Sequence, residues 1–123
     1  MKLYGLGFDM LEISRMQKKI ENPAFFSRVF SENEQQLILQ KGKNAAQTAA
    51  ANFCGKEAFA KAVGTGFKHM KLQDIEILRN NDGKPYVQLC GKLKEIYGHI
   101  CFEISLTHTA QTAGAVVCAV TED

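Results

Sequence analysis

The stretch "FCGKEAFAKAVGTG", residues 53–66, decides the fold, because it joins a long helix to a glycine-containing loop. Together with the alanine-rich residues before it, its high helix propensity predicts a helix from about Ala45 to Val63, which Gly64 ends. Charged side chains interrupt this run of Ala, Phe and Val at Lys56, Glu57 and Lys61. The helix therefore carries either an ordinary ion pair or a site for a phosphorylated ligand and its metal.

The elements before this helix are predicted from the spacing of apolar residues. Residues 3–9 alternate as in a strand that ends at Asp9, with three large apolar side chains on one face: Tyr4, Leu6 and Phe8. From Leu11 to the stop at Asn22-Pro23 the spacing is helical. We therefore expect a strand and then a helix with a basic face.

A capping box and a hairpin signal frame the rest of the chain. Ser31, with Glu34 three residues later, predicts a short helix that ends near Gly42. "DIEILRNNDGKPYVQL", residues 74–89, has a β-rich arm on each side of Asn-Asp-Gly, which is typical of a hairpin. A short helix and two strands follow, at residues 91–99, 101–108 and 112–120. Because short turns join the strands, we expect an α+β fold, a largely antiparallel sheet packed on the long central helix and shorter helices.

Size and composition predict one globular domain over residues 1–123. The chain is 46% apolar and 23% charged, and its net charge of +2 is too small to indicate general nucleic-acid binding. The longest apolar run, "AGAVVCAV", is much shorter than a bilayer span, and no signal peptide is visible. The cysteines lack a C-x-x-C pair and lie in apolar segments, so we expect reduced core thiols in a cytoplasmic protein, with a disulfide framework as the alternative: Cys54, Cys90, Cys101 and Cys118.

Two acids, a lysine and a glycine loop have the chemistry that a phosphate site needs. Mg²⁺ takes one or two carboxylates and fills its other positions with water and phosphate oxygens, and Asp9 and Glu57 could be those carboxylates. Lys61 could meet charge on a leaving phosphate, and Gly64 and Gly66 allow backbone N–H groups to come close. Each signal also has an ordinary explanation: an exposed ion pair worth about 0.2–0.5 kcal/mol, a helix cap and a helix stop.

Several segments in order resemble the bacterial holo-acyl-carrier-protein synthases, which are small phosphopantetheinyl transferases. They are "GFDMLEISRM", "KEAFAKAVGTG", "DIEI" followed by "NDGKPY", and "ISLTHT". The resemblance runs from about residue 3 to residue 120, and it implies a phosphopantetheinyl-transferase-like domain. The implied reaction is Mg²⁺-dependent transfer of the 4′-phosphopantetheine arm from coenzyme A to a serine of apo-acyl carrier protein, in fatty acid biosynthesis. Adenosine 3′,5′-bisphosphate is released.

The resemblance also assigns residues to the site. Asp9 and Glu57 match the catalytic acids that hold Mg²⁺ against the coenzyme A pyrophosphate, and Lys61 matches the lysine that assists departure of the nucleotide. Further coenzyme-binding matches lie in the glycine loop, the hairpin turn and the end of a late strand: Gly64, Gly66, Lys84, Pro85, Ser105, His108 and Thr109. Without the resemblance, Lys84 would be an ordinary turn residue and His108 part of a solvated strand end.

The partner and the assembly are implied in the same way. Acyl carrier proteins are acidic, so a basic helix beside the first strand would attract one. Arg15 matches a family docking position, and three neighbours are added for their charge alone: Lys18, Lys19 and Arg28. A solvated helix face is the alternative reading of all four. The resemblance further implies a homotrimer with active sites between subunits.

One departure from the family pattern concerns a phosphate contact. Many members have an arginine where this chain has Asn52, so that contact is either missing or supplied by another residue, such as Lys43 or Lys56. Two other functional classes fit the same residues. A non-catalytic adaptor would bind acidic carrier domains, and a metal-dependent hydrolase would cleave a nucleotide pyrophosphate without a carrier.

Overall fold

The computed structural model describes residues 1–122, which contain five strands and five α-helices. In chain order they are β1 (Lys2–Glu12), α1 (Ile13–Lys19), α2 (Pro23–Val29), α3 (Glu32–Gln40), α4 (Ala45–Val63), β2 (Ile75–Arg79), β3 (Pro85–Leu89), α5 (Gly91–Tyr97), β4 (Cys101–His108) and β5 (Thr112–Thr121). Short 3-10 turns at Gly42–Asn44 and Leu72–Asp74 precede α4 and β2.

The strands form two antiparallel sheets. The larger sheet has the order β1-β5-β4, and β2 and β3 form a separate hairpin. Asp9 on β1 and Leu106 on β4 both lie opposite Ala115 of the middle strand. Helix α4 packs on one face of the larger sheet, mainly against β1 and β5. The predicted α+β class with antiparallel pairing is confirmed.

Two glycines let β1 approach α4 more closely than any side chain would permit. A Cβ added at Gly7 would overlap the carbonyl oxygen of Ala58, and one added at Gly5 would overlap that of Ala62. Backbone therefore meets backbone along this contact. The opposite face of β1 is the one with the large apolar side chains, which are 48–63% exposed: Tyr4, Leu6, Phe8 and Met10.

Apolar side chains of α4 fill the space between the helix and both sheets. Phe59 is buried in one cluster with Ile77 of the hairpin and Val117 of the middle strand. Gly55 makes room for this packing, because a Cβ there would lie only 3.1 Å from a side-chain carbon of Ile77. A second cluster joins the N-terminal half of α4 to the first three helices through Met16, Phe30 and Ile38.

The strongest local signals in the sequence are confirmed. Helix α4 spans the predicted residues and ends at Gly64, whose φ of 85° is the left-handed conformation of a helix cap. At α3 both capping-box bonds are present: Ser31 Oγ accepts from the Glu34 N–H, and the Glu34 carboxylate accepts from the Ser31 N–H. Gly83 supplies the positive φ, 83°, of the hairpin turn.

The boundary between β1 and α1 differs from the prediction. Leu11 and Glu12 belong to the strand, where they lie opposite Ala113 and Thr112 of β5. Their helical spacing is overridden because the partner strand is long enough to pair with them. Helix α2, which begins at Pro23, was not predicted from the spacing of apolar residues.

Cysteine burial also differs from the expectation of four core thiols. Cys54 is buried, whereas Cys101 is exposed and Cys90 and Cys118 are only partly buried; all four are free. Cys101 lies on an edge strand, on the face away from α4, where the core does not reach it. Among the described residues, no helix has the length and apolar character needed to cross a bilayer.

The contact between β1 and α4 predicts a large cost for Gly7→Ala. Because the new Cβ meets backbone that cannot move aside, we expect the free energy of unfolding to fall by about 3 kcal/mol in urea denaturation. Gly114→Ala on β5 is the matched control, since its Cβ would lie 3.4 Å from the Asp9 carbonyl oxygen, an ordinary contact. Equal stability of the two variants would contradict the close approach.

Candidate active site

Asp9, Glu57 and Lys61 meet where β1 crosses the C-terminal half of α4. Lys61 Nζ donates to Phe8 O at 2.9 Å and lies 3.3 Å from Asp9 Oδ1. The contact between the backbones explains this placement, because Asp9 is two residues beyond Gly7 and so faces the helix on the same side of the strand. We call these three side chains the acid site.

The electrostatics of the acid site suit a cation. Burial raises the pKa of the Glu57 carboxyl above its ordinary value, and the negative charge of Asp9 raises it further, while Lys61 and Lys19 oppose the shift. The Cys54 thiol responds to the same charges, because burial and then Asp9 and Glu57 raise its pKa to about 12. Two carboxylates thus share a partly desolvated site with one adjacent lysine, and a divalent ion would relieve their repulsion.

The loop after α4 begins one turn beyond Lys61. Gly64 and Gly66 both have positive φ, 85° and 62°, and an added Cβ at either would meet nothing within 4 Å. The Gly64 N–H is already donated to Ala60 O, so this glycine shapes the turn. The rest of the loop is largely open to solvent beside the acid site.

A separate cavity, about 250 Å³ in volume, lies beside the N-terminal half of α4. Pro85 and His108, both named by the resemblance, line this cavity. Gln47 Nε2 donates to His108 Nε2 at 3.0 Å. Five further polar residues line the cavity and were not predicted, because they form no motif of fixed spacing: Lys41, Gln47, Thr48, Arg79 and Thr107.

The remaining matched residues lie on other surfaces. Lys84 Nζ lies 3.5 Å from Glu103 Oε1, and both side chains are mostly exposed. Ser105 is exposed on the sheet face that it shares with Phe8, away from α4. Thr109 lines a shallow apolar hollow that also includes Phe8. The chain therefore brings only part of the matched set to the cavity.

Helix α4 separates the cavity from the acid site. Thr48 at the cavity and Glu57 at the acid site are nine residues apart, which is about 2.5 turns and about 13 Å along the axis. Their side chains therefore leave opposite sides of the helix. The two sites face different directions from one chain.

Lys56 is buried, which corrects the suggestion that it could contact a phosphate. Its ammonium pairs with Glu34 Oε1 at 2.6 Å and donates to Leu72 O at 2.8 Å, and both charged side chains are fully buried. Burial lowers the pKa of Lys56 and raises that of Glu34, against their mutual attraction. The pair ties α4 to α3. Lys43, the other candidate, is exposed but does not line the cavity.

The residues predicted to dock the carrier are exposed on α1 and α2: Arg15, Lys18, Lys19 and Arg28. We call them the basic surface. Lys19 Nζ lies 5.6 Å from the centre of the Phe25 ring and 6.0 Å from that of Phe53. Phe53 is about one turn before Glu57 on α4, so the basic surface borders the acid site.

Comparison with known proteins identifies relatives along nearly the whole chain. The model of the 4′-phosphopantetheinyl transferase superfamily matches residues 5–120. A holo-[acyl-carrier-protein] synthase of Alkaliphilus oremlandii is 42% identical over 120 residues, which cover 94% of this chain and 98% of that protein.

Solved structures also resemble this chain over nearly its whole length. A holo-(acyl-carrier-protein) synthase from Bacillus anthracis, in complex with CoA (3′,5′-ADP), gives a TM-score of 0.85 at 29% identity and covers 99% of this chain and 100% of that one. The holo-[acyl-carrier-protein] synthase from Neisseria meningitidis gives 0.86 at 30% identity, with coverage of 97% and 99%.

Proposed function

The chain belongs to the 4′-phosphopantetheinyl transferase superfamily, and we propose that the acid site is where it carries out its reaction. It transfers the 4′-phosphopantetheine arm from coenzyme A to a serine of apo-acyl carrier protein and releases adenosine 3′,5′-bisphosphate. The observation that carries the site is the meeting of Asp9, Glu57 and Lys61 where β1 contacts α4. The adaptor and the pyrophosphate hydrolase are not favoured, because a relative matched over nearly its full length is a synthase.

The reaction depends mainly on the alignment of the reacting groups and on the stabilisation of negative charge. The serine oxygen attacks the phosphorus that carries pantetheine, and the bond to the nucleotide phosphate breaks. Lys61 is held beside Phe8 O and Asp9, where its ammonium can stabilise negative charge on the departing phosphate. Glu57 is partly buried in the same site, beside Asp9 and Lys61, and we propose that its carboxylate receives the serine proton, directly or through a water molecule.

We propose Mg²⁺ as the metal, with Asp9 and Glu57 as its protein ligands. Within residues 1–122 no group of three or more His, Cys, Asp and Glu side chains is placed to hold a metal. Two carboxylates alone fit an ion that completes its shell with water and phosphate oxygens, as Mg²⁺ does. When bound, the ion would neutralise charge on the coenzyme A pyrophosphate.

We propose that the chain forms a homotrimer whose active sites lie between subunits. The exposed apolar face of β1 supports this, because a contiguous patch of that kind marks a protein contact: Tyr4, Leu6, Phe8 and Met10. The position of α4 between the cavity and the acid site also supports the trimer, because the two sites of one chain face different directions. A coenzyme bound at the acid site of one chain would place its nucleotide end in the cavity of a neighbour.

Carrier docking is assigned to the basic surface. Its four charges would attract an acidic carrier, and its border with the acid site would bring the carrier's serine to the reacting phosphorus. We further propose that the reaction serves fatty acid biosynthesis in the cytoplasm. The four free cysteines fit a reducing compartment.

Glu57→Gln is expected to lower kcat/KM for arm transfer at least about a hundredfold, because it removes a metal ligand's charge with little change in shape. The measurement is the mass of an apo carrier after incubation with coenzyme A and Mg²⁺. Glu95→Gln, on the exposed side of α5, is the matched control and should transfer normally. If Glu57→Gln turns over normally, Glu57 is not part of the active site. Failure of the wild type to modify a competent carrier would reject the proposed function.

Mixing two inactive variants tests whether the site lies between subunits. Glu57→Gln loses one carboxylate of the acid site and His108→Ala loses one side chain of the cavity, so each variant alone should transfer the arm much more slowly than the wild type. When the two variants are refolded together, about a quarter of the interfaces would pair the intact acid site of a His108→Ala chain with the intact cavity of a Glu57→Gln chain. These interfaces should regain activity. Light scattering on Phe8→Asp should give a monomer, with Ile96→Asp as the exposed apolar control. A wild-type monomer at micromolar concentration, or no recovery on mixing, would count against the trimer.

Reversing two charges of the basic surface tests carrier docking. Arg15→Glu combined with Arg28→Glu should raise KM for the carrier about tenfold and leave KM for coenzyme A within about twofold, because only the carrier contact is altered. Lys92→Glu combined with Lys94→Glu, exposed on α5, controls for net charge. If both pairs change KM for the carrier equally, the basic surface is not the docking site.

A further inference from the structure

Asn52, in the middle of α4, holds an arginine that comes from another element. Arg79 Nη2, from the end of β2, donates to Asn52 Oδ1 at 2.8 Å. Asn52 is fully buried, and its Nδ2 donates to Glu34 Oε2 at 3.0 Å and to Ile77 O at 2.9 Å. Because the amide nitrogen is used on the inner side, the oxygen has to face Arg79.

The guanidinium of Arg79 is held on one side and free on the other. Its Nη1 donates to Ile77 O at 3.3 Å and to Leu78 O at 3.4 Å. Together with the bond to Asn52, these contacts use three of the five N–H donors of an arginine. Arg79 lines the cavity beside α4, so its two remaining donors are available to a ligand there.

The charge around the cavity favours an anion. Lys41 and Arg79 are both cationic, His108 lies beside them, and no carboxylate is among the lining side chains of the described chain. The nearest buried acid in this network is Glu34, whose charge is already matched by Lys56. The cavity therefore keeps the positive charge of Arg79.

We propose that Arg79 is the specificity-determining residue that binds the 3′-phosphate of coenzyme A, with Asn52 as its positioning residue. This inference rests on the proposed function, and it replaces Lys43 and Lys56 as the source of the phosphate contact. A phosphate monoester offers several oxygens to a guanidinium fork, which a lysine cannot match geometrically. The pyrophosphate belongs to the acid site, so the cavity receives the other phosphate of the coenzyme.

The test compares two nucleotides that differ only in the 3′-phosphate. Binding of adenosine 3′,5′-bisphosphate and of adenosine 5′-monophosphate is measured by calorimetry without carrier or metal, for the wild type and Arg79→Gln. The wild type should prefer the bisphosphate, and Arg79→Gln should lose about tenfold or more of that preference with little change for the monophosphate. Glutamine can still donate to Asn52, which protects the buried network.

Controls separate this inference from the proposed function. Lys92→Gln removes one exposed positive charge on α5 and should keep the preference. Arg79→Lys keeps the charge but not the two-pronged geometry of the guanidinium, so its preference for the bisphosphate should lie between those of the wild type and Arg79→Gln. If Arg79→Gln does not fold, the ratio of the two affinities measured for Arg79→Lys decides the test. The ratio of the transfer rates with coenzyme A and with dephospho-coenzyme A should place the variants in the same order.

Two results would overturn the assignment. One is an Arg79→Gln protein that still prefers the bisphosphate as strongly as the wild type. The other is a wild type that binds both nucleotides equally. If the wild type still transfers the arm to the carrier, the proposed function stands even when the assignment of Arg79 fails. A wild type that transfers nothing would reject the proposed function itself.

Discussion

The backbone of β1 lies directly on the backbone of α4, and the arrangement of the acid site depends on that contact. Gly5 and Gly7 leave no room for side chains, so the strand cannot shift outward or slide along the helix without losing the fit. Asp9 is fixed two residues further along the same face. It therefore meets Lys61, which is 52 residues away in sequence.

The same helix gives the chain two faces with different chemistry. One side of α4 carries Glu57, which together with Asp9 of β1 suits a metal, and the other side borders a cavity with positive charge and no carboxylate in its described lining. The buried pair of Glu34 and Lys56 anchors this helix to α3 and to the segment before β2. A polar network inside the protein thus sets the distance between two sites on its surface.

Local sequence signals predicted the elements better than their partners. Gly64, the capping box and the Asn-Asp-Gly turn act within a few residues, so they can be read without the fold. Asp9 and Glu57 were grouped by their chemistry as possible Mg²⁺ ligands, but only the family resemblance assigned them to one site. Lys56 reads as a surface charge because lysine is almost never fully buried without a partner, and its partner is 22 residues away. The hold of Asn52 on Arg79 likewise depends on tertiary placement.

Cys54 has a consequence for the chemistry of a substrate that ends in a thiol. The sulfur lies beside the acid site, but it is fully buried and its pKa of about 12 leaves almost no thiolate at neutral pH. Exchange between a thiol and a disulfide requires the thiolate as nucleophile. Oxidised pantetheine compounds can therefore pass the centre without becoming trapped on it as mixed disulfides.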